Sequence, residues 1–352
     1  MKKFFATVLT LAMALSLVAC GGGEKPAAST PAASTPAASA PAEGAPVGDP
    51  KEIVVSHTYA SDHNVSQAFE LFKEFVEKES GGSMTVAHHP NSALGGDEDA
   101  MEMMAYGTVT MMVPSVASLE MYAGDWGILS LAYIFPSVDK AFEAVDGELG
   151  DFLKATLDGT EFICLGFNSN GTRNMTNNVR PITCLDDLKG IKMRVMNSQT
   201  YVDWMNALGA NATPMGFNEV FTSLQQGTID GQENGAANAY TSGFQEVQKY
   251  FSVTEHVYDM NAILMNRAFY EDLNEAEKAI IDEGVQTYLM DWQRQTEVDQ
   301  DGEFIAKWED AGVQVNYVEE SEKQAFRDAM ADMHAAAKAK FPEAWAALEK
   351  YQ

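Results

Sequence analysis

Positive charge is scarce in this sequence. Its 23 lysines and arginines face 51 aspartates and glutamates, a formal net charge of -28. No basic stripe is available to contact phosphates, so nucleic-acid binding is excluded as a function class. Cysteine is scarce as well, with only Cys20, Cys164 and Cys184. Cys164 and Cys184 could pair outside the cytoplasm, but nothing in the sequence brings their Cα atoms within reach, and it favours two separate thiols. Beyond the N-terminus no long apolar run exists. The best candidate, 108–135, is broken by Glu120 and Asp125, so the body carries no predicted membrane span. The usual constellations of catalysis are missing too: no GxSxG elbow, Walker-type loop, HExxH or CxxC. His88-His89 with Asp97, Glu98 and Asp99 reads as a solvated turn ahead of an acidic helix start rather than a metal site. No metal, no cofactor and no enzyme activity are expected.

What is present begins with a leader. Lys2 and Lys3 precede the apolar or small residues Phe4 to Ala19, a run too short to span a bilayer but right for a secretory signal. It ends in Leu17-Val18-Ala19-Cys20, which resembles a bacterial lipobox. That resemblance implies a signal peptide over 1–19 and a lipid on Cys20. Residues 20–50 repeat Pro-Ala-Ala-Ser-Thr with almost no large apolar side chain. Such a segment cannot bury enough surface to offset its ordering entropy, and its simplest use is as a tether.

The remaining 300 or so residues suffice for two lobes. EIVVSHTY is strand-like. Asn64 to Ser80 places Val65, Ala68, Phe69, Phe72, Phe75 and Val76 at helical spacing before Gly81-Gly82. MTVAHH, VTMMV, EFICLGF, IKMRV, TIDGQ and VQVNYV read as further strands. Helices are predicted over DEDAMEMMAYG, around 139–157, over Ser198–Leu208 and Asn218–Gln226, up to Tyr250, from Glu275 to Gly312, and from Glu320 onward. The alternation predicts α/β lobes with mainly parallel sheets.

Arginine placement is the informative feature. Of six arginines, Arg173, Arg180 and Arg194 fall within one short stretch. Arg173 sits in the polar segment NSNGTRN, read as a loop, and Arg180 precedes Pro181 as a solvated loop cation. Arg194 lies inside the apolar strand IKMRV, where alternation sets it opposite Met193 and Val195. A guanidinium that points inward needs a partner. An internal ion pair would serve, and so would the carboxylate of an organic ligand gripped by two parallel hydrogen bonds.

The segments NGTRN, RPITCLDDLKGIKMRV, LGANATPMGFNEVFTSLQQGTIDGQEN and EVQKY, with nearby His256, resemble the solute-binding subunits of tripartite ATP-independent periplasmic (TRAP) transporters of the DctP type. The resemblance runs from about residue 52 to the C-terminus and is densest over 166–260. It implies a two-lobed periplasmic-binding-protein-like α/β fold, with a ligand cleft between the lobes and a long helix crossing both. The implied lobes are 51–170 plus about 260–300, and 171–259 plus about 301–352. It implies ligand binding by Arg194 as carboxylate clamp, Arg173 as second arginine, Phe217 as the packing aromatic, Asn234 as the amide of the QEN turn, and His57 at the end of the first strand. Gly235 departs from the proline common in the family, and MMVPSVAS lacks the acidic residue of sialic-acid binders. The expected partners are a small organic acid (a sugar acid or a C4-dicarboxylate) and membrane permease subunits. The expected location is extracytoplasmic, at a bacterial membrane through the lipid. The receptor of an ATP-driven importer and a surface-anchored hydrolase are the rival readings.

Overall fold

The computed structural model describes residues 46–352. Cys20 and most of the tether expected over 20–50 lie outside the described residues. Nine strands build one mixed sheet: β1 (Lys51–Ser56), β2 (Met84–His89), β3 (Met111–Met112), β4 (Phe162–Asn177), β5 (Lys192–Val195), β6 (Asn211–Pro214), β7 (Gly231–Gly235), β8 (Tyr250–Asn266) and β9 (Gln314–Tyr317). The order is β2-β1-β3-β8-β4-β7-β5-β6, with β9 also on β8. β1 runs parallel to β2 and β3, and β5 runs parallel to β6 and β7. These are the β-α-β units the periodicity predicts.

The sheet departs from the expected parallel pattern at its centre. β4 and β8 are antiparallel over nearly their whole length, and β7 and β3 also pair with them antiparallel. Phe162–Ser169 pairs with Met260–Asn266 beside β3, while Thr172–Asn177 pairs with Tyr250–Tyr258 beside β7 and β9. The two halves meet at a register shift between Ser169 and Thr172. Gly171 sits there at φ +74, a conformation glycine adopts at little cost. NSNGTRN is therefore strand, not loop. β8 occupies the region beyond Tyr250, and the helix expected up to Tyr250 stops at Thr241.

Helices cover both faces. Helix Asn64–Glu79 buries Val65, Ala68, Phe69, Phe72 and Val76, the face its spacing predicts. The single helix expected around 139–157 is two, Val138–Val145 and Glu148–Ala155. One continuous helical rod runs from Glu275 to Asp310, with a wider π-helical stretch over Val285–Trp292. Its first part packs Ile281, Val285 and Leu289 with Ile53, Val55 and Phe69. Its last part packs Phe304, Ile305 and Trp308 with Val220 and Phe251. The rod thus serves the cores of both halves. Between them Gln293 mimics a strand partner, accepting from the Ser169 amide (2.9 Å) and donating to the Ser169 carbonyl (2.8 Å). The last helix, Pro342–Leu348, buries Ala344 and Leu348 against Leu149 and Leu153. Those C-terminal residues therefore join the first half, whereas the sequence reading placed 301–352 in the second.

Cys164 and Cys184 are both free. No described helix is long and apolar enough to cross a membrane.

Candidate functional site

A cleft opens where the two halves of the sheet meet. Arg173, Arg194, Phe217 and Asn234 all line it. The sequence reading named these four, and the fold brings them together from β4, β5, a 3₁₀ turn (Phe217–Glu219) and β7.

Arg194 projects from β5 while its neighbours Met193 and Val195 enter an apolar core with Trp204 and Met205. Its side chain is buried, yet its hydrogen bonds go to one neutral acceptor: Nε (3.0 Å) and Nη2 (2.8 Å) both donate to the Met215 carbonyl. The guanidinium stands over the Phe217 ring, 5.8 Å from its centroid. Burial pulls the Arg194 pKa down to about 10, against the attraction of Glu233 and with the repulsion of Arg173. Among the described residues no carboxylate forms an ion pair with Arg194. Its remaining N–H groups meet no anion among the described residues.

Arg173 is buried in the opposite condition. Nε and Nη2 donate to the Glu233 carboxylate at 2.5 and 2.9 Å, Nη2 also donates to the Glu233 carbonyl at 2.6 Å, and Nη1 donates to Asp259. His256 Nε2 lies 3.1 Å from the same Glu233 carboxylate. Burial opposes the charge on both partners. Even so, the carboxylates lift the Arg173 pKa and the guanidinium holds Glu233 below its ordinary range.

His57 stands elsewhere. It is buried just past β1, stacked on Phe69 at 5.4 Å, with Nε2 2.7 Å from Nε2 of His88. His88 Nδ1 in turn meets Glu70 at 2.7 Å. Burial first, then His88, keeps His57 neutral. The side chain turns toward the helix layer, and the adjacent Thr58 and Tyr59 reach the cleft instead. Arg180 also differs from expectation. It is half-buried rather than fully solvated and closes its loop by donating to the carbonyls of Asp187 (2.8 Å) and Lys189 (2.6 Å).

Several lining residues escaped the sequence reading. Asp97, set aside there as part of an acidic helix start, reaches the cleft and accepts from the Ser115 amide and Ser118 Oγ, both at 3.2 Å. Burial, reinforced by Glu98, lifts its pKa to about 7. Glu98 accepts from Asn197 at 2.8 Å. Asn170 and Asn238 surround Asn234.

Residues 55–340 match the family described as bacterial extracellular solute-binding protein, family 7 (DctP). The C4-dicarboxylate-binding periplasmic protein DctP of Rhodobacter capsulatus is 35% identical over 228 residues, covering 64% of this chain and 68% of that one. Among solved structures, the sugar acid binding protein DctPAm from Advenella mimigardefordensis strain DPN7T, in complex with galactonate, superposes with a TM-score of 0.83 at 31% identity, covering 86% of this chain and 99% of that one. A TRAP periplasmic solute binding protein from Polaromonas sp. JS666, bound to D-erythronate, gives a TM-score of 0.80 at 30% identity, covering 84% and 97%. These are extracytoplasmic transport proteins that bind solutes rather than transform them. The chain accordingly belongs to the DctP family, family 7 of the bacterial extracellular solute-binding proteins, and is a TRAP-type solute-binding protein.

Proposed function

We propose that this protein captures a small organic acid, a sugar acid or a C4-dicarboxylate, by gripping its carboxylate with Arg194, and delivers it to the permease subunits of its transporter. One observation carries the reading: Arg194 is a buried cation in a cleft wall whose bonds within the described residues go to a single carbonyl. A desolvated charge without a counter-ion is costly, and a ligand carboxylate relieves that cost with charge-assisted bonds. Phe217 supplies the apolar surface beside the grip, and Asn234 adds an amide. Arg173 belongs to the same site as the element that holds Glu233 and Asp259 in place. His57 is left out of the site because its side chain faces Phe69 and His88. We take the lobes to be 51–170 with about 260–300, and 171–259 with about 301–341, hinged at Ser169–Thr172 so that closure buries the ligand.

Calorimetric titration with organic acids tests the grip. Losing one partner of a buried charged pair costs roughly 2–5 kcal/mol, so Arg194→Ala should weaken binding by about thirtyfold to several thousandfold. A folded Arg194→Ala protein that binds its acid normally overturns the reading. Within the same proposal, the Leu17–Cys20 box places a lipid on Cys20 and the protein at a membrane surface. Cys20→Ser should release the protein from the membrane fraction or leave it unprocessed. Fatty-acid labelling that persists in the Ser variant would remove the anchor.

A further inference from the structure

We propose that Asn170 reads a ligand hydroxyl, so that the cleft takes a polyhydroxy monocarboxylate in preference to a dicarboxylate. The inference rests on the carboxylate grip proposed above and adds what the far side of the ligand must offer.

The orientation of the Asn170 amide follows from its neighbours. Its Nδ2 lies 2.8 Å from Asp259 Oδ2 and 3.0 Å from Asn234 Oδ1. A carboxylate oxygen that already takes Arg173 accepts rather than donates, so the Asn170 atom facing it must be the nitrogen. Asn234 is fixed in the same way. Its Oδ1 takes the Gly235 backbone N–H at 2.9 Å and Asn238 Nδ2 at 3.3 Å, and a backbone N–H can only donate. With both amides oriented, two atoms remain. Asn234 Nδ2 is a donor with no hydrogen bond among the described residues. Asn170 Oδ1 is a buried acceptor with no partner, on a residue 3% exposed that lines the cleft.

A buried acceptor left unpaired costs about 1–3 kcal/mol, and a ligand O–H is the group that satisfies it. The other polar groups of the cleft sort the same way. Arg194 and Asn234 Nδ2 offer donors to a carboxylate. Asn170 Oδ1 and the carboxylates of Asp97 and Glu98 offer acceptors. A second ligand carboxylate would meet Asn170 Oδ1 as an acceptor and, beside Glu98, as a like charge. Hydroxyl groups meet them as donors.

Gly235 ties this arrangement to the sequence. A Cβ there would lie 2.0 Å from the Asn170 carbonyl oxygen, so glycine lets β7 approach Asn170. Proline, the residue the family resemblance leads one to expect, would also lack the N–H that orients Asn234.

The test titrates wild type and Asn170→Ala with galactonate, with hexanoate (the same carbon count without hydroxyls) and with succinate. Wild type should bind galactonate at least tenfold more tightly than the other two. Asn170→Ala should lose about tenfold to a hundredfold for galactonate and stay within about threefold for succinate. Equal affinity of wild type for galactonate and succinate overturns the proposal, as does an Asn170→Ala variant that weakens every acid alike, which marks a structural role only. Those outcomes leave the Arg194 grip standing. Wild type that binds no carboxylate at all removes both readings together.

Discussion

The floor and the wall of one cleft hold two buried arginines in opposite circumstances. On the floor, Arg173 meets Glu233 and Asp259 and sits between β4, β7 and β8. On the wall, Arg194 meets one backbone carbonyl and an aromatic ring. Both guanidiniums are almost wholly withdrawn from water, so burial does not distinguish them. The counter-ion does. A buried charge paired inside the chain is part of the fold's own accounting, whereas a buried charge the chain leaves unpaired has to be completed from outside. Residue type and burial alone would have assigned both to the ligand, and only the partner inventory separates them.

The sharpest way to break this comparison is at Arg173. Removing one member of a buried ion cluster leaves uncompensated charge, at a cost of about 3–5 kcal/mol. Arg173→Met strands both Glu233 and Asp259, so urea unfolding should show a stability loss of that order, with a smaller loss for Arg173→Lys, which keeps the charge but not the forked geometry. If Arg173→Met unfolds at the wild-type midpoint, the floor pairs do not support the fold and the contrast with Arg194 fails.

Glu297 supplies the inverse case, a buried carboxyl group without a cation. It lies on the helical rod beside the register shift at Ser169–Thr172. Its Oε2 takes Asn64 Nδ2 at 2.6 Å, while Oε1 has no partner. Gly171 comes so close that a Cβ there would lie 2.5 Å from Oε1. Burial lifts the Glu297 pKa to about 7; the Asn64 bond opposes the rise, and Asp301 and Asp259 add to it. Because the folded-state value stands above the unfolded one, the folded protein holds a proton that the unfolded chain releases first. The contribution is therefore complete below about pH 4.5, falls as pH rises, and is gone above about 7. Asp97 (about 7) and Asp301 (about 6) act with the same sign. Glu297→Gln should flatten the slope between these limits and raise stability at pH 8 by on the order of 2 kcal/mol. Parallel stability curves for wild type and Glu297→Gln across pH 4.5–8 would refute the assignment.

Much of this was legible in the sequence where apolar pattern decides structure. Helix Asn64–Glu79 and strands β1, β2 and β5 announce themselves because their buried faces are apolar and their polar faces are not. Arg194 stood out for the same reason, as one polar side chain on an apolar strand. The central pair β4 and β8 was hidden because its middle is buried yet polar. Asn170 and Arg173 bond Asp259, Asn261 bonds Asn168, Asn174 accepts from the Glu255 amide and His256 meets Glu233, polar partners rather than an apolar core. Such a segment has the composition of a loop and the burial of a strand. Asn170 was lost with it, since the partner that orients it is 89 positions away. Asp97 was lost because an acidic helix start is ordinarily solvated. His57 was misplaced because the end of a strand does not tell which face its side chain takes.

The smallest expected effect is the one that isolates the wall. Apo Arg194→Met should keep its stability within about 1 kcal/mol of wild type. The substitution removes two hydrogen bonds to the Met215 carbonyl, each worth about 1 kcal/mol net. It also removes the penalty of a desolvated cation, whose pKa burial has already drawn down to about 10. Methionine fills much of the vacated space beside Phe217 without a charge to solvate. The two terms oppose and nearly cancel, unlike at Arg173, where both partners of a formed pair are lost to each other. The difference should appear as a split between two measurements on one variant: unfolding of the apo protein barely moves, while carboxylate affinity falls by orders of magnitude. A loss of several kcal/mol in the apo protein would mean that the chain does complete the Arg194 charge internally, and the wall would then be a second floor.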